Sequence, residues 1–145
     1  MSTTAKIPTP TTRAATTPAA ERQPVWKHGV AAAVMASVAT TGLAAIASAA
    51  GVSFADRTGA SIPIAGFAQL TLVFSLLGVG IAAVMARRAR RPRATFVRTA
   101  VTLTALSFVP DLTFGFDVVS AATLITLHTV AAAIVVPVLA SRLAP

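Results

Sequence analysis

Four apolar stretches, at about 29–50, 64–86, 95–112 and 118–140, dominate the chain, and short polar segments part them. A helix rises about 1.5 Å per residue, so about 20 residues cross the roughly 30 Å hydrocarbon core of a bilayer. The first, second and fourth stretches have that length. The third is shorter and carries Arg98 near one end and Asp111 near the other. It fits with both charges at the interfaces and Arg98 snorkelling. Only 11% of residues are charged and 55% are hydrophobic, too few charges to coat a soluble domain, which usually carries about 25%. The expected fold class is all-α: an integral membrane, antiparallel bundle of four transmembrane helices.

The placement of charge tests that layout. Lys6, Arg13, Arg22 and Lys27 precede the first stretch. Arg87, Arg88, Arg90, Arg91, Arg93 and Arg98 fall between the second and third, and Arg142 follows the fourth. Four crossings put all of these on one side. The other side receives Arg57 with Asp56, Asp111 and Asp117. Basic residues mark the cytoplasmic side, so both termini are expected there. Abundant Arg and Ala are a compositional mark of a GC-rich bacterial genome, and the cytoplasmic membrane of a bacterium is the expected location. Most aromatics, Trp26, Phe54, Phe67, Phe96, Phe114 and Phe116, fall near the predicted helix ends, as an interfacial belt would place them.

Residues 1–28 are rich in Thr, Pro and Ala. They offer too little apolar surface to offset the entropy of ordering, so a disordered cytoplasmic tail is expected. Ala47-Ser48-Ala49 has the A-x-A form of a signal-peptidase site, but the region before the apolar run is long for a signal peptide. An uncleaved first helix is the favoured reading, with cleavage after Ala49 the alternative.

Gly78-Val79-Gly80-Ile81-Ala82-Ala83 fits the dinucleotide pattern G-x-G-x-x-A. That pattern needs a preceding strand and an acidic residue about 20 positions on, and Asp and Glu are absent between Arg57 and Pro110. Close helix packing through Gly78 and Ala82 is the better reading. The first helix repeats small residues every four positions at Ala32, Ala36, Thr40, Ala44 and Ser48. Such a stripe lets helix backbones approach, within the bundle or across a homo-oligomer interface. The arginines at 87, 88, 90, 91, 93 and 98 lack neighbouring readout residues for nucleic acid. They read as a topology determinant that touches anionic headgroups of the lipid bilayer.

Two ionisable residues lie within the apolar sequence. His128 falls about 15 Å into the fourth helix by helical rise, at a depth where such residues are often functional. Its bland reading is a neutral ring bonded to Thr102, Thr104 or Ser107. Asp111 follows Pro110 at the outer end of the third helix. It is expected to be a solvated helix end or an acceptor for Gln69 and Thr71. Direct contact with His128 is not expected, because the depth gap is about 15 Å, unless the third helix unwinds at Pro110 and dips inward. Asp117 can cap the fourth helix, with Gly115 allowing a tight reversal before it. No Cys is present, and no hydrolase, P-loop or metal-binding motif appears. No cofactor and no enzymatic activity are expected.

Several segments are shared with a known family: Trp26, GVSF at 51–54, IPIAGFAQLT at 62–71, RRPRATFVR at 90–98, ALSFVPDL at 105–112 and LHTVAAAIVVPVLASRL at 127–143. Over residues 26–143 the chain resembles a family of small actinobacterial four-helix membrane proteins, the domain of unknown function numbered 6069. The resemblance implies the architecture and no established activity. It directs attention to the segments around Asp111 and His128. The leading expectation is a non-enzymatic accessory or self-associating membrane subunit, partnered by itself or by another membrane protein. The alternative is a small transporter or channel subunit using Asp111 and His128 in a polar path.

Overall fold

The computed structural model describes residues 25–145. They form four helices, α1 (Val25–Ala49), α2 (Ile64–Arg88), α3 (Pro92–Thr113) and α4 (Val118–Ala140). Residues 1–24 of the expected tail lie outside the described residues. Residues 25–28, also assigned to that tail, are instead the first turn of α1. Trp26 and Lys27 pack against each other there, with the ammonium 5.7 Å from the ring centre.

The helices run up, down, up and down in a ring. α1 packs on α2 and α4, and α3 packs on α4 and α2. α2 and α4 also meet across the short diagonal, whereas α1 and α3 do not touch. α1, α2 and α4 are each long and apolar enough to cross a membrane. α3, with 22 residues, has the length, but Arg93, Arg98 and Asp111 make it the polar member. The outside of the ring is apolar: Met35, Val38, Ile46, Phe74, Val101 and Val109 all face outward. The inside holds small residues, among them Ala32, Ala33, Ala36, Thr40, Ala44 and Ala82. That is the distribution expected where lipid is the solvent and close backbone approach holds helices together.

The interior has two apolar clusters. One joins Ala32, Ala36, Val79, Ala82, Phe96, Val135 and Leu139 toward the arginine-rich end. The other joins Ala44, Phe54, Phe67, Leu124 and Leu127 toward the opposite end. Between them α1 and α2 are tied by side chains. Ser37 Oγ donates to the Ala68 carbonyl at 2.8 Å, and the Thr40 and Thr71 hydroxyls lie 3.0 Å apart. Thr40 also donates to Ala36 O, which leaves Thr71 as the donor between them.

The segment joining α1 to α2 closes the outer end. Phe54 is turned into the bundle with φ of 50°, a left-handed conformation that costs a non-glycine residue. The strain is offset locally. Its ring packs edge-on against Phe67, 4.9 Å between centres, and its N–H donates to Ser120 Oγ at 3.2 Å. Ser120 Oγ in turn donates to Asp117 Oδ2, and Asp117 Oδ1 accepts from the Val119 and Ser120 amides. Asp117 thus caps α4 and anchors the loop. The Ser120 hydroxyl, then the amides, hold its carboxyl below the usual carboxylate range. At the other end Pro92, the first residue of α3, is buried, and the Arg93 N–H donates to Ala144 O at 3.2 Å.

Candidate functional site

The site forms where α3 meets α4. By helical rise Asp111 lies roughly 29 Å along α3 from Pro92, and His128 lies roughly 18 Å along α4 from Ala140. Yet the Asp111 Oδ2 and His128 Nδ1 atoms are 3.1 Å apart. α3 therefore sits roughly 10 Å lower than α4, toward the arginine-rich end. Both of its ends agree. At the bottom, Arg93 bonds to Ala144, beyond the end of α4. At the top, residues 115–117 climb as irregular chain from Thr113 to Val118, and an extended chain gains about 3.3 Å per residue. Gly115, at φ of 84°, turns that climb beneath the Arg57 side chain, which packs directly over it.

The displacement has a physical cause. Only twelve residues separate Arg98 from Asp111, about 20 Å of helix, so the two cannot both reach the faces of a 30 Å core. The bundle leaves Arg98 exposed near its lower end and takes Asp111 inside, where it is 6% exposed. The expectation of a solvated Asp111 at the outer helix end is corrected accordingly. Gln69 is exposed and Thr71 is engaged by Thr40, so neither serves Asp111.

His128 supplies the partner, but one that is shared. Its Nδ1 lies 2.9 Å from the Leu124 carbonyl as well as 3.1 Å from Asp111. An N–H at Nδ1 points at the carbonyl, and the buried Oδ2 is left without a well-directed hydrogen bond. Ser107, an expected partner of His128, instead donates to Thr104 O. Phe108 stands edge-on to the imidazole, 6.5 Å between ring centres. The His128 side chain remains 41% exposed, on the outside of the bundle at mid-depth.

Because α3 ends low, the outer half of α4 is uncovered beside it. The notch is a groove of about 270 Å³ lined by Asp111, Leu112, Phe116, Val118, Ala121, Ala122 and Ile125. It joins a carboxylate to otherwise apolar surfaces.

A family of unknown function, DUF6069, matches residues 20–145, a stretch that takes in all four helices and the site. The chain belongs to the DUF6069 family. No curated protein and no solved structure matches it.

The remaining residues singled out in this DUF6069 member are spread through the bundle. Ala32, Ala36, Thr40 and Ala44 are buried against α2 and α4, while Ser48, at the top of the same stripe, is exposed. Ala82 is buried, but a Cβ at Gly78 would meet nothing within 4 Å. The expected close approach lies at Gly29 instead, where a Cβ would come within 2.6 Å of Val79 Cγ2 and 3.0 Å of Leu139 Cδ2. Arg87, Arg88, Arg90, Arg91, Arg93 and Arg98 are all exposed, and none forms an ion pair among the described residues. Three contributors carry no motif in the sequence: Gly29, Phe108 and the bridging Ser120.

Proposed function

We propose that this DUF6069 protein is a non-enzymatic, multi-pass protein of the bacterial cytoplasmic membrane that binds and releases a proton at Asp111–His128, as a subunit of a small transporter or channel. The observation that carries this reading is the 3.1 Å contact between a buried carboxylate and a part-exposed imidazole at mid-depth of an apolar bundle. Ionisable residues are expensive at that depth and mark ion or proton pathways. One proton on the pair leaves it neutral overall, whether shared as acid and imidazole or as carboxylate and imidazolium. The small-residue stripe, which would have favoured self-association, is largely consumed inside the chain. Eleven of the twelve basic residues on one side of four crossings support cytoplasmic termini, and the exposed arginines then face anionic headgroups and not nucleic acid.

The test is an infrared pH titration of the full chain in lipid. A protonated-carboxyl band that titrates, and that Asp111→Asn removes, is expected. A carboxylate that stays ionised throughout would sink the proposal.

A second reading is favoured by the exposure of His128. An imidazole 41% exposed on a lipid-facing wall is better covered by a polar group of another helix. The protein would then be an accessory subunit, docking a second copy or another membrane protein on α3 and α4. The mass and composition of the complex after gentle extraction decide this, since a bare monomer would exclude it.

A further inference from the structure

We infer that the notch above the end of α3 binds a lipophilic organic cation, held by the Asp111 carboxylate in exchange for a proton. This rests on the reading of Asp111–His128 as a proton-binding pair and names what competes with the proton. Three observations combine. Asp111 is nine-tenths buried and lines the notch, and its Oδ2, shielded beside His128 Nδ1, lacks a directed hydrogen bond. The walls are apolar, and the small side chains of Ala121 and Ala122 give the groove its depth. The notch lies along the outer half of α4, on a bundle whose outside is apolar and faces lipid.

These features select a class of ligand. A divalent cation needs about six oxygen ligands, and the notch offers one carboxylate. Among the described residues no third metal-binding side chain joins Asp111 and His128. A hydrated monovalent ion would have to shed its water between Val118, Ile125 and Phe116. Phosphate headgroups would meet a carboxylate of like sign. A cation with its charge spread over an apolar body loses little hydration, fills the walls, and can lie against the face of Phe116. It can reach Asp111 sideways from the membrane.

The charged surroundings are sparse. From α4 only His128 faces Asp111. α2 carries no ionisable residue before Arg87, and on α3 Arg93 and Arg98 lie toward the other end. Asp117 is the cap of α4 and does not line the notch, and Arg57 lies over Gly115. Deprotonation of the pair therefore governs affinity. Binding of one cation releases one proton, and affinity rises with pH until the pair is fully deprotonated.

The experiment is calorimetric titration of the full chain in detergent micelles with tetraphenylphosphonium, in buffers of different ionisation enthalpy. Saturable binding with release of one proton per cation is expected. The Kd should tighten by about tenfold per pH unit while the pair is protonated. Asp111→Asn should weaken binding at least about tenfold and remove the pH dependence, whereas Asp117→Asn should change neither. Ala122→Trp, which fills the notch without touching the carboxylate, should block the cation and leave the infrared titration of Asp111 in place. Absence of saturable binding, or binding that survives both Asp111→Asn and Ala122→Trp, overturns the inference. If the Asp111 band still titrates, the cation site falls alone. If the band is also lost, the proton-binding reading falls with it.

Discussion

Gly29 of α1 lies against Val79 of α2 so closely that a Cβ at Gly29 would sit 2.6 Å from one Val79 methyl and 2.9 Å from the other. A valine in a helix has one strongly preferred rotamer, so it cannot turn aside cheaply. Leu139 of α4 closes the third side at 3.0 Å. Three helices meet here, beside the cluster at the arginine-rich end. Gly29→Ala should therefore destabilise the bundle by about 1–3 kcal/mol, the usual cost of overpacking. Gly78→Ala, with nothing within 4 Å, should be neutral. Denaturation in mixed micelles followed by far-UV circular dichroism measures both, and equal effects would contradict the packing described.

The outer end depends on Phe54, whose ring is 1% exposed. Phe54→Ala should cost about 3–5 kcal/mol, as for other buried aromatic truncations. Part of that loss is returned by relief of the left-handed backbone, so Phe54→Gly should be no worse than Phe54→Ala despite its smaller side chain. Relative stabilities of the two variants by thermal melting test the point. A clear disadvantage for the glycine would argue against strain at this position.

Asp117 makes that end sensitive to acid. Its carboxyl titrates below the usual range because Ser120 and the first amides of α4 hydrogen-bond the charged form. A group with a depressed folded pKa stabilises the fold fully above its unfolded value, about 3.9 for Asp. That contribution is lost as pH falls through the lower, folded value. Melting temperature should thus drop in that acid window. Asp117→Ala should lower stability at neutral pH by about 1 kcal/mol and blunt the acid response, and Asp117→Asn, which keeps an acceptor, should retain most of the cap.

Between α1 and α2 the hydroxyl pair Thr40–Thr71 sits beside the Ser37–Ala68 bond. Interhelical hydrogen bonds in membrane bundles average only about 0.6 kcal/mol. Thr71→Val should cost about that much. Thr40→Val should cost no more, because the shape is kept and the Ala36 carbonyl retains its helical bond. A loss of several kcal/mol in either variant would mean that the polar pair carries more of the α1–α2 contact than its geometry indicates.

Helix number, order and most boundaries were legible because span length and charge placement are set by the bilayer, a constraint that acts on each segment separately. α4 occupies the expected residues 118–140, and Asp117 caps it as its position suggested. The vertical offset of α3 was harder to see. It depends on one relation, the twelve residues between Arg98 and Asp111, whose length excludes two interfacial charges. Snorkelling by Arg98 does not absorb the whole shortfall, so Asp111 is taken inside. Gly78 was overvalued for a related reason. A small-residue motif shows that an approach is possible, while the neighbour that makes it is fixed only when helices acquire rotation and height. Gly29, at the first buried position of α1, carries no motif at all.

The Asp111–His128 contact predicts an asymmetry between its two halves. His128→Leu leaves a carboxylate that is 6% exposed with no partner. Asp111→Leu leaves an imidazole that is 41% exposed and still bonded to the Leu124 carbonyl. Removing one partner of a fully buried pair costs about 3–5 kcal/mol, mostly from the stranded charge. The open side of His128 reduces this, so His128→Leu should cost about 2 kcal/mol and Asp111→Leu less than half of that. The double variant, with no charge left inside, should recover most of the loss and can exceed the wild type, as apolar replacements of buried pairs do. Unfolding of all four proteins in the same mixed micelles gives the coupling directly. An additive double variant would mean that the two side chains do not interact, and the site would dissolve into two unrelated polar residues. Strong coupling in stability, with proton binding shifted in opposite ways in the two single variants, would identify a pair kept at a cost to the fold for the proton it holds.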